Sequence, residues 1–342
     1  VFFVMIISWW KMKINMYDFD DTIYNGDSTV DFIKYCYKHK YIKFRDIIKI
    51  IGAFIKYFFG IIDITQFKEV LFSFLNNVND GYCLVNDFWD EHYKNIKKFY
   101  LEKNHDTDVI NSASPYFLLK PVCDKLGVKD LIASDVDLKT GRFREKNNSR
   151  EAKVDNYKKK YINYILDECY SDNPFNDKFI LELANKPYVV KGEKLINYYD
   201  YKPSFVKSIF RKLWGFYRSH LEVINYLFIG GCTTVISILS YALFAKVCGF
   251  DLVVSNVLSW IMAVLFAYFT NRVIVFNSKN KNYIKEFISF TGSRVITLIL
   301  DTLLMILFVR SLNMNDMIAK LIVQIVVIIG NYLISKLLVF KK

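Results

Sequence analysis

Four apolar runs fill the last third of this 342-residue chain, at about 223–245, 252–271, 287–309 and 317–338. At about 1.5 Å per residue, each is long enough to cross ~30 Å of hydrocarbon as a helix. Inside a bilayer every backbone polar group must be bonded within its own segment, so this region is read as an all-α polytopic membrane domain of four transmembrane helices. Charged residues are dense from Lys11 to about Glu222 and sparse beyond it, which places a soluble domain in front of the membrane domain. A net charge of +12 alongside 53% hydrophobic and 17% aromatic residues argues against a soluble nucleic-acid binder, and no nucleic-acid partner is expected.

Lysine and arginine set the orientation. Lys207, Arg211, Lys212 and Arg218 precede the first run; Arg272, Lys279, Lys281 and Lys285 separate the second from the third; Lys341 and Lys342 follow the fourth. The other two loops carry little beyond Lys246 and Arg310. The positive-inside rule therefore predicts a multi-pass protein of a bacterial cell membrane, with both ends and the soluble domain cytoplasmic. Residues 203–221 place Val206, Ile209, Phe210, Leu213, Trp214 and Tyr217 at helical spacing among basic residues. That pattern suits a helix lying among anionic headgroups, membrane lipids being its partner; the alternative is an ordinary linker helix.

The membrane half repeats. A shift of 64 residues lays Tyr268, Arg272, Val275 and Phe276 over Tyr332, Lys336, Val339 and Phe340. Each copy holds two runs, so the copies share one orientation. Arg294 and Asp301 lie inside the third run with Thr297 between them, and an in-span Asp costs ~2.5–3.5 kcal/mol to insert. They form either a buried pair that holds helices together or a polar headgroup site.

The six cysteines are scattered with no C-x-x-C pair, so neither a disulfide framework nor a zinc knuckle is indicated. Val1–Trp10 is apolar but about half the length of a span; it is set aside from fold reasoning, with Met12 read as the true start.

In the soluble half, Lys13–Tyr17 reads as a strand running into Asp18, and about 25–104 reads as helical throughout. Within that block Ile47–Ile62 is apolar but interrupted by Lys49 and Lys56, which predicts a buried or interfacial helix rather than a span. From Asp106 the pattern becomes strand (108–112), helix (118–126), strand (131–134), hairpin (137–143), helix (152–162) and strands near 164–170 and 188–190. Such alternation predicts a parallel, doubly wound α/β sheet with a helical insertion after its first strand.

Tyr17-Asp18-Phe19-Asp20 puts two carboxylates at i and i+2 past a strand, pointing the same way. Carboxylates that close repel unless a cation sits between them, and magnesium, content with few carboxylates plus waters and phosphate, is the natural cofactor. Three further motifs follow in order: Asp108-Val-Ile-Asn-Ser112-Ala-Ser-Pro115, Asn147-Asn-Ser-Arg-Glu-Ala-Lys153, and Ile165 through Asp172 to Asp177. Together with the helical insertion, this order resembles the haloacid dehalogenase superfamily, and its phosphoserine-phosphatase-like branch in particular, over about 13–195.

The resemblance implies a Rossmann-like domain at 12–200 with a cap at about 25–105 that closes over substrate. It implies Asp18 as nucleophile, Asp20 as general acid and base, Ser112 and Lys153 on the phosphoryl group, and Mg²⁺ held by Asp18, the Asp20 carbonyl and Asp172 with Asp177 in support. Four positions depart from the family's pattern: Asp21 and Arg150 stand where glycine is usual, and Arg144-Glu145 replace Thr-Gly. None of them removes a catalytic group.

Past a linker at 201–222, the two parallel repeats each ending in a basic-x-x-Val-Phe sequence resemble the GtrA-like family over 223–342. That resemblance implies polysaccharide synthesis and the movement of polyprenyl-phosphate-linked sugars. The combined expectation is a membrane-anchored, Mg-dependent phosphomonoester hydrolase acting through an aspartyl-phosphate. Its partner would be a phosphorylated small molecule or a lipid-linked phosphate, and a homo-oligomer is compatible with the sequence. The alternatives are a flippase accessory whose soluble domain is regulatory or inactive, and a cytosolic metabolite phosphatase that is merely anchored.

Overall fold

The computed structural model describes residues 12–103 and 105–340, so Val1–Trp10, Lys341 and Lys342, used above, lie outside the described residues. The chain forms two compact units, one from residues up to 57 with 62–205, the other from 58–61 with 206 onward.

The first unit opens with β1 (Met12–Tyr17) and four longer helices: α1 (Ser28–Lys38), α2 (Phe44–Phe58), α3 (Ile64–Phe72) and α4 (Gly81–His92). A short α5 (Lys98–Leu101) leads to β2 (Asp108–Pro115), α6 (Tyr116–Leu126) and β3 (Asp130–Ser134). Then come α7 (Glu151–Lys160), β4 (Tyr164–Ser171), α8 (Lys178–Leu181), β5 (Lys186–Lys191) and β6 (Lys194–Asn197). The sheet order is β3-β2-β1-β4-β5-β6. All pairings are parallel except β5 with β6, so the sheet is mixed, and the antiparallel edge strand is an addition to the expected parallel sheet.

Period-2 alternation gives the sheet two apolar faces. Tyr17, Ile110, Leu131 and Tyr170 face the aromatic core shared with α1, α4 and α6, while Ile14, Met16, Val109, Ile132 and Cys169 face Tyr157 and Leu181 on α7 and α8. Caps fix the helix starts. Asp27 accepts from Val30 N, Asp80 from Cys83 N, and Asp63 forms a reciprocal box with Gln66.

Two expectations gain detail. Residues 137–143 form the expected hairpin in its shortest form, with backbone bonds from Asp137 N to Arg142 O and Arg144 N to Asp135 O around one Val136–Phe143 bridge, and with the Asp137 carboxylate accepting from Lys139 N and Thr140 N. Gly141 (φ 69°) has to be glycine there, because a Cβ would lie 2.3 Å from the Phe72 carbonyl oxygen at the end of α3. The expected buried or interfacial helix at 47–62 is α2, which buries only Asp46 and Ala53.

The second unit holds α9 (Phe205–Ser219), none of it buried, then α10 (Leu221–Ala242), α11 (Leu252–Thr270), α12 (Tyr283–Ile306) and α13 (Asp316–Ile334). Among the described residues, four helices are long and apolar enough to cross a bilayer: Leu221–Val247, Leu252–Val275, Tyr283–Ser311 and Leu321–Val339.

The 64-residue repeat is built into the backbone. Both bounds of α11 reappear 64 residues on as those of α13. The π-helical turns Leu243–Val247 and Asn271–Val275 recur as Leu307–Ser311 and Ser335–Val339. Gly249 and Asn313, again 64 apart, share a positive φ. The bond from Phe250 N to Phe244 O at 3.0 Å recurs from Met314 N to Phe308 O at 3.0 Å.

Candidate functional site

The first site forms where β1, β2 and β4 end side by side, the C-terminal edge at which an open α/β sheet changes strand order. Asp18 follows β1, and its backbone N–H bonds the Tyr170 carbonyl of β4 at 2.9 Å. Its Oδ1 accepts from Phe19 N at 2.9 Å and pairs with Lys153 Nζ at 3.1 Å. Lys153, on the first turn of α7, is buried and also pairs with Asp177 at 2.9 Å. Burial would pull the Lys153 ammonium down, but Asp177 and Asp18 overcome it and hold the group charged.

Asp177 was expected to support the metal. Its carboxylate is taken up by Lys153 and by the Ser171 hydroxyl at 2.7 Å, so it stands behind the lysine. Asp20 accepts from Ser28 N at 2.6 Å and from the Ser114 hydroxyl at 2.5 Å. Burial raises the carboxyls of Asp18 and Asp20; at Asp18 the charges of Asp177, Asp20 and Asp172 add to the rise and Lys153 opposes it. Asp172 is pushed up to about 6, first by burial. Ser112, fully buried on β2, accepts from Ser114 N at 3.1 Å, and Asn148 bonds its carbonyl at 2.9 Å.

The donor set suits magnesium. Asp18 Oδ2 and the Asp172 carboxylate accept no hydrogen bond among the described residues, although desolvation and mutual repulsion penalise both charges. Among the described residues no cluster of three or more His, Cys, Asp or Glu groups poised for a metal occurs. A cation here would rest on Asp18, Asp172 and the Asp20 carbonyl, leaving room for the waters and substrate oxygens that magnesium keeps.

Sequence reasoning missed three contributors. Ser114, quoted within its motif but given no role, holds Asp20 and bonds Thr29 at 2.9 Å. Asn148 ties the Ser112 carbonyl to Asn111 Oδ1 at 2.9 Å. Lys68 comes from α3 of the insertion, its Nζ bonding Ala113 O at 2.9 Å and Asn147 Oδ1 at 2.8 Å. Burial lowers Lys68 to about 8 against the pull of Asp20 and Asp27. Nothing in the sequence distinguishes it from the other lysines of the insertion.

The two glycine replacements fall where glycine conformations are needed. Asp21 sits at φ 53°, with its carboxylate accepting from Gly26 N at 3.2 Å. Arg150 sits at φ 54°, ψ −120°, directly before α7.

A second site lies within the four-helix unit. A cavity of about 530 Å³ is lined by Arg294, Asn331, Gln324, Trp260, Asn271 and Gly230, among others, and a second of about 350 Å³ carries Asp301 beside Arg294. The expected alternative of an Arg294–Asp301 pair is not what forms. Arg294 donates to the Tyr226 hydroxyl at 3.4 Å and stands 4.6 Å over the Phe290 ring, with no carboxylate partner among the described residues. Thr297 donates to Asn331 Oδ1 at 2.9 Å. The 64-residue shift explains the cavity's lopsidedness: Gly230, Ser237, Trp260 and Ala267 of the first repeat correspond to Arg294, Asp301, Gln324 and Asn331 of the second.

Comparison with known proteins follows this division. Residues 225–340 match the GtrA/DPMS transmembrane domain, and residues 16–174 match the haloacid dehalogenase-like hydrolase family. The chain is 37% identical over 141 residues to the cell wall teichoic acid glycosylation protein GtcA of Listeria innocua serovar 6a, covering 97% of that protein and 40% of this one. The chain belongs to the GtrA/DPMS transmembrane family. It carries a haloacid dehalogenase-like hydrolase domain ahead of its GtrA-type unit, and it is a multi-pass membrane protein. The membrane protein YwcD of Bacillus subtilis strain 168 is 37% identical over 120 residues, 94% of its length and 34% of this chain. Among solved structures, a phosphoserine phosphohydrolase-like protein from Francisella tularensis subsp. tularensis SCHU S4 is 18% identical, at TM-score 0.34, over 52% of this chain and 86% of that one.

Proposed function

We propose that the chain is a membrane-anchored phosphomonoester hydrolase that works through an aspartyl-phosphate on Asp18, serving lipid-linked sugar metabolism in wall glycosylation. The observation that carries this reading is the Asp18–Lys153–Asp177 chain at the strand ends, with Asp20 held separately by Ser28 and Ser114.

Asp18 attacks the phosphorus through its unbonded oxygen as the bond to the leaving oxygen breaks. Asp20, raised by burial, gives its proton to that oxygen and releases the alcohol. Water then attacks the acyl phosphate, its proton passes to Asp20, and inorganic phosphate leaves with both carboxyls restored. Lys153 keeps its charge on Asp18 throughout, and the Ser112 hydroxyl, three residues before the end of β2, would meet the phosphoryl oxygens. Asp18, Asp172 and the Asp20 carbonyl would hold magnesium, which would supply positive charge for the phosphoryl oxygens.

The trapping experiment is direct. Full-length protein in detergent with magnesium and a phosphomonoester is quenched and reduced with borohydride, and the peptide carrying Asp18 is weighed. A reduced acyl group at Asp18, absent from Asp18→Asn, is the expected result. Phosphate release by Asp18→Asn at the wild-type rate would overturn the reading.

A second reading, in which the membrane unit itself handles a lipid-linked headgroup, is favoured by one observation: Arg294 is an in-span guanidinium with no carboxylate partner among the described residues, lining a cavity with the buried Asn271. Both readings place the chain's ends in the cytoplasm. If Arg294→Gln abolishes wall glycosylation while Asp18→Asn leaves it intact, the second reading replaces the first.

A further inference from the structure

The α2 helix is inside out. At 100° per residue, Phe44, Ile48, Ile51, Ile55 and Phe58 fall on one stripe, and each is between 39% and 77% exposed. The opposite side, with Asp46 and Ala53, is the buried one. A helix on a soluble insertion would turn such a stripe inward, and five large apolar residues left outside are a contiguous patch that calls for a cover.

Position and charge identify the cover. α2 runs into residues 58–61, which belong to the membrane unit. There the Phe58 ring lies 5.3 Å from Tyr217 and 6.0 Å from Trp214 of α9, and the Phe59 carbonyl accepts from Asn225 Nδ2 at 3.0 Å near the start of the first span. Residues 58–61, which follow directly on the body of α2, thus pack beside the start of the first span. Lys43, Arg45, Lys49 and Lys56 lie off the apolar stripe, as anionic headgroups require of a helix lying in their plane.

We propose that α2 lies in the headgroup layer of the leaflet that the first span enters, its stripe among the acyl chains, and that the phosphatase site takes an amphiphilic phosphomonoester from that leaflet. Packing connects α2 to the site. Phe54 of α2 meets Phe67 of α3 edge-on at 6.1 Å and Tyr57 stacks on it at 5.7 Å, and the next residue, Lys68, reaches the Ala113 carbonyl beside Ser112. The helix touching lipid is thereby packed on the helix that reaches the site. The substrate class rests on the phosphatase reading above; the lipid contact does not.

The test uses the wild-type full chain in phosphatidylethanolamine–phosphatidylglycerol vesicles containing phosphatidylglycerol with a diazirine on its acyl chain. After irradiation and peptide mapping, adducts are expected on Ile48, Ile51 and Ile55 as well as on α10–α13, which serve as the internal control. Labelled spans with an unlabelled α2 would overturn the lipid contact and assign the stripe to a protein cover, whether a second copy or another part of this chain.

The triple variant Ile48→Ser, Ile51→Ser, Ile55→Ser then tests the substrate class. Turnover of p-nitrophenyl phosphate should stay within about twofold, while hydrolysis of a long-chain alkyl phosphate in vesicles should fall about tenfold or more as surface concentration is lost. Equal changes on both substrates would overturn the substrate class. A wild type inactive on both would overturn the phosphatase reading and the substrate class with it, while the labelling still decides the lipid contact.

Discussion

Arg272 and Glu286 form a buried ion pair that recurs, 64 residues on and with the repeats exchanged, as Lys336 and Glu222 at 2.8 Å. Glu286 opens the second repeat and Arg272 closes the first; Glu222 opens the first and Lys336 closes the second. Each repeat therefore offers its carboxylate to the other's cation, which is the signature of two parallel copies related by a pseudo-two-fold axis. The copies have diverged in their surroundings. Arg272 also bonds the Asn280 carbonyl and lies 4.2 Å over the Tyr283 ring, whereas the Lys336 pair is half exposed and shares Glu222 with the Tyr332 hydroxyl at 2.7 Å.

That asymmetry predicts unequal stability losses. Arg272→Gln strands a buried Glu286 and should lower stability by about 3–5 kcal/mol. Lys336→Gln removes a half-exposed partner and should cost under about 1 kcal/mol. Thermal unfolding of the detergent-solubilised variants reads both, and equal shifts would refute the ranking.

Asp20 is predicted to act on both halves of the reaction. Asp20→Asn should slow hydrolysis of an alkyl phosphate by ~10²–10⁴, because the poor leaving group needs its proton. p-Nitrophenolate needs little help to leave, so the same variant should release a burst of about one equivalent and then stall with phosphate on Asp18. Rapid-quench kinetics would show the burst; steady turnover without one would count against the acid–base assignment.

Lys68, lowered to about 8 mainly by burial, should move activity and stability in opposite directions as pH rises. Its ammonium holds the Ala113 carbonyl beside Ser112, so kcat/KM should decline above about pH 8, and Lys68→Arg should carry that limb upward. For stability the folded value lies below the usual lysine value of about 10.4. Between them the unfolded chain binds more protons, so this group's contribution to stability rises with pH from about 8 to about 10.4. The wild type minus Lys68→Met difference in unfolding free energy, measured against pH, checks the sign.

Arg150 occupies φ 54°, ψ −120°, a backbone region that side chains with a Cβ disfavour. Arg150→Gly should stabilise the hydrolase unit by about 1 kcal/mol, and Asp21→Gly by less, since Asp tolerates the left-handed region and here bonds Gly26 N. Thermal melts of the full chain would rank the two. A destabilised Arg150→Gly would show that the side chain contributes more than its backbone strain removes.

Much of this was legible in the sequence because it is written in local periodicity. The four spans follow from apolar length alone, and the helical insertion and the strands that carry Ser112 and lead into Asp18 and Asp172 follow from pattern and motif order, although β2 runs on past Ser112 to Pro115. The 64-residue repeat follows from the recurring basic-x-x-Val-Phe ends, and the exchanged ion pairs lie at its matching positions. Tertiary structure decided what depends on which elements meet. Lys68 enters the site because α3 folds back over β2, at 45 residues' separation from Ala113. Asp177 belongs to Lys153 because α7 and β4 converge on it. Arg294 faces a cavity because Gly230, Gly231 and Thr234 of the first repeat leave space along its lining. The α2 stripe was visible as an amphipathic pattern, but which side turns outward is fixed only by packing, since periodicity records a face and not its neighbour.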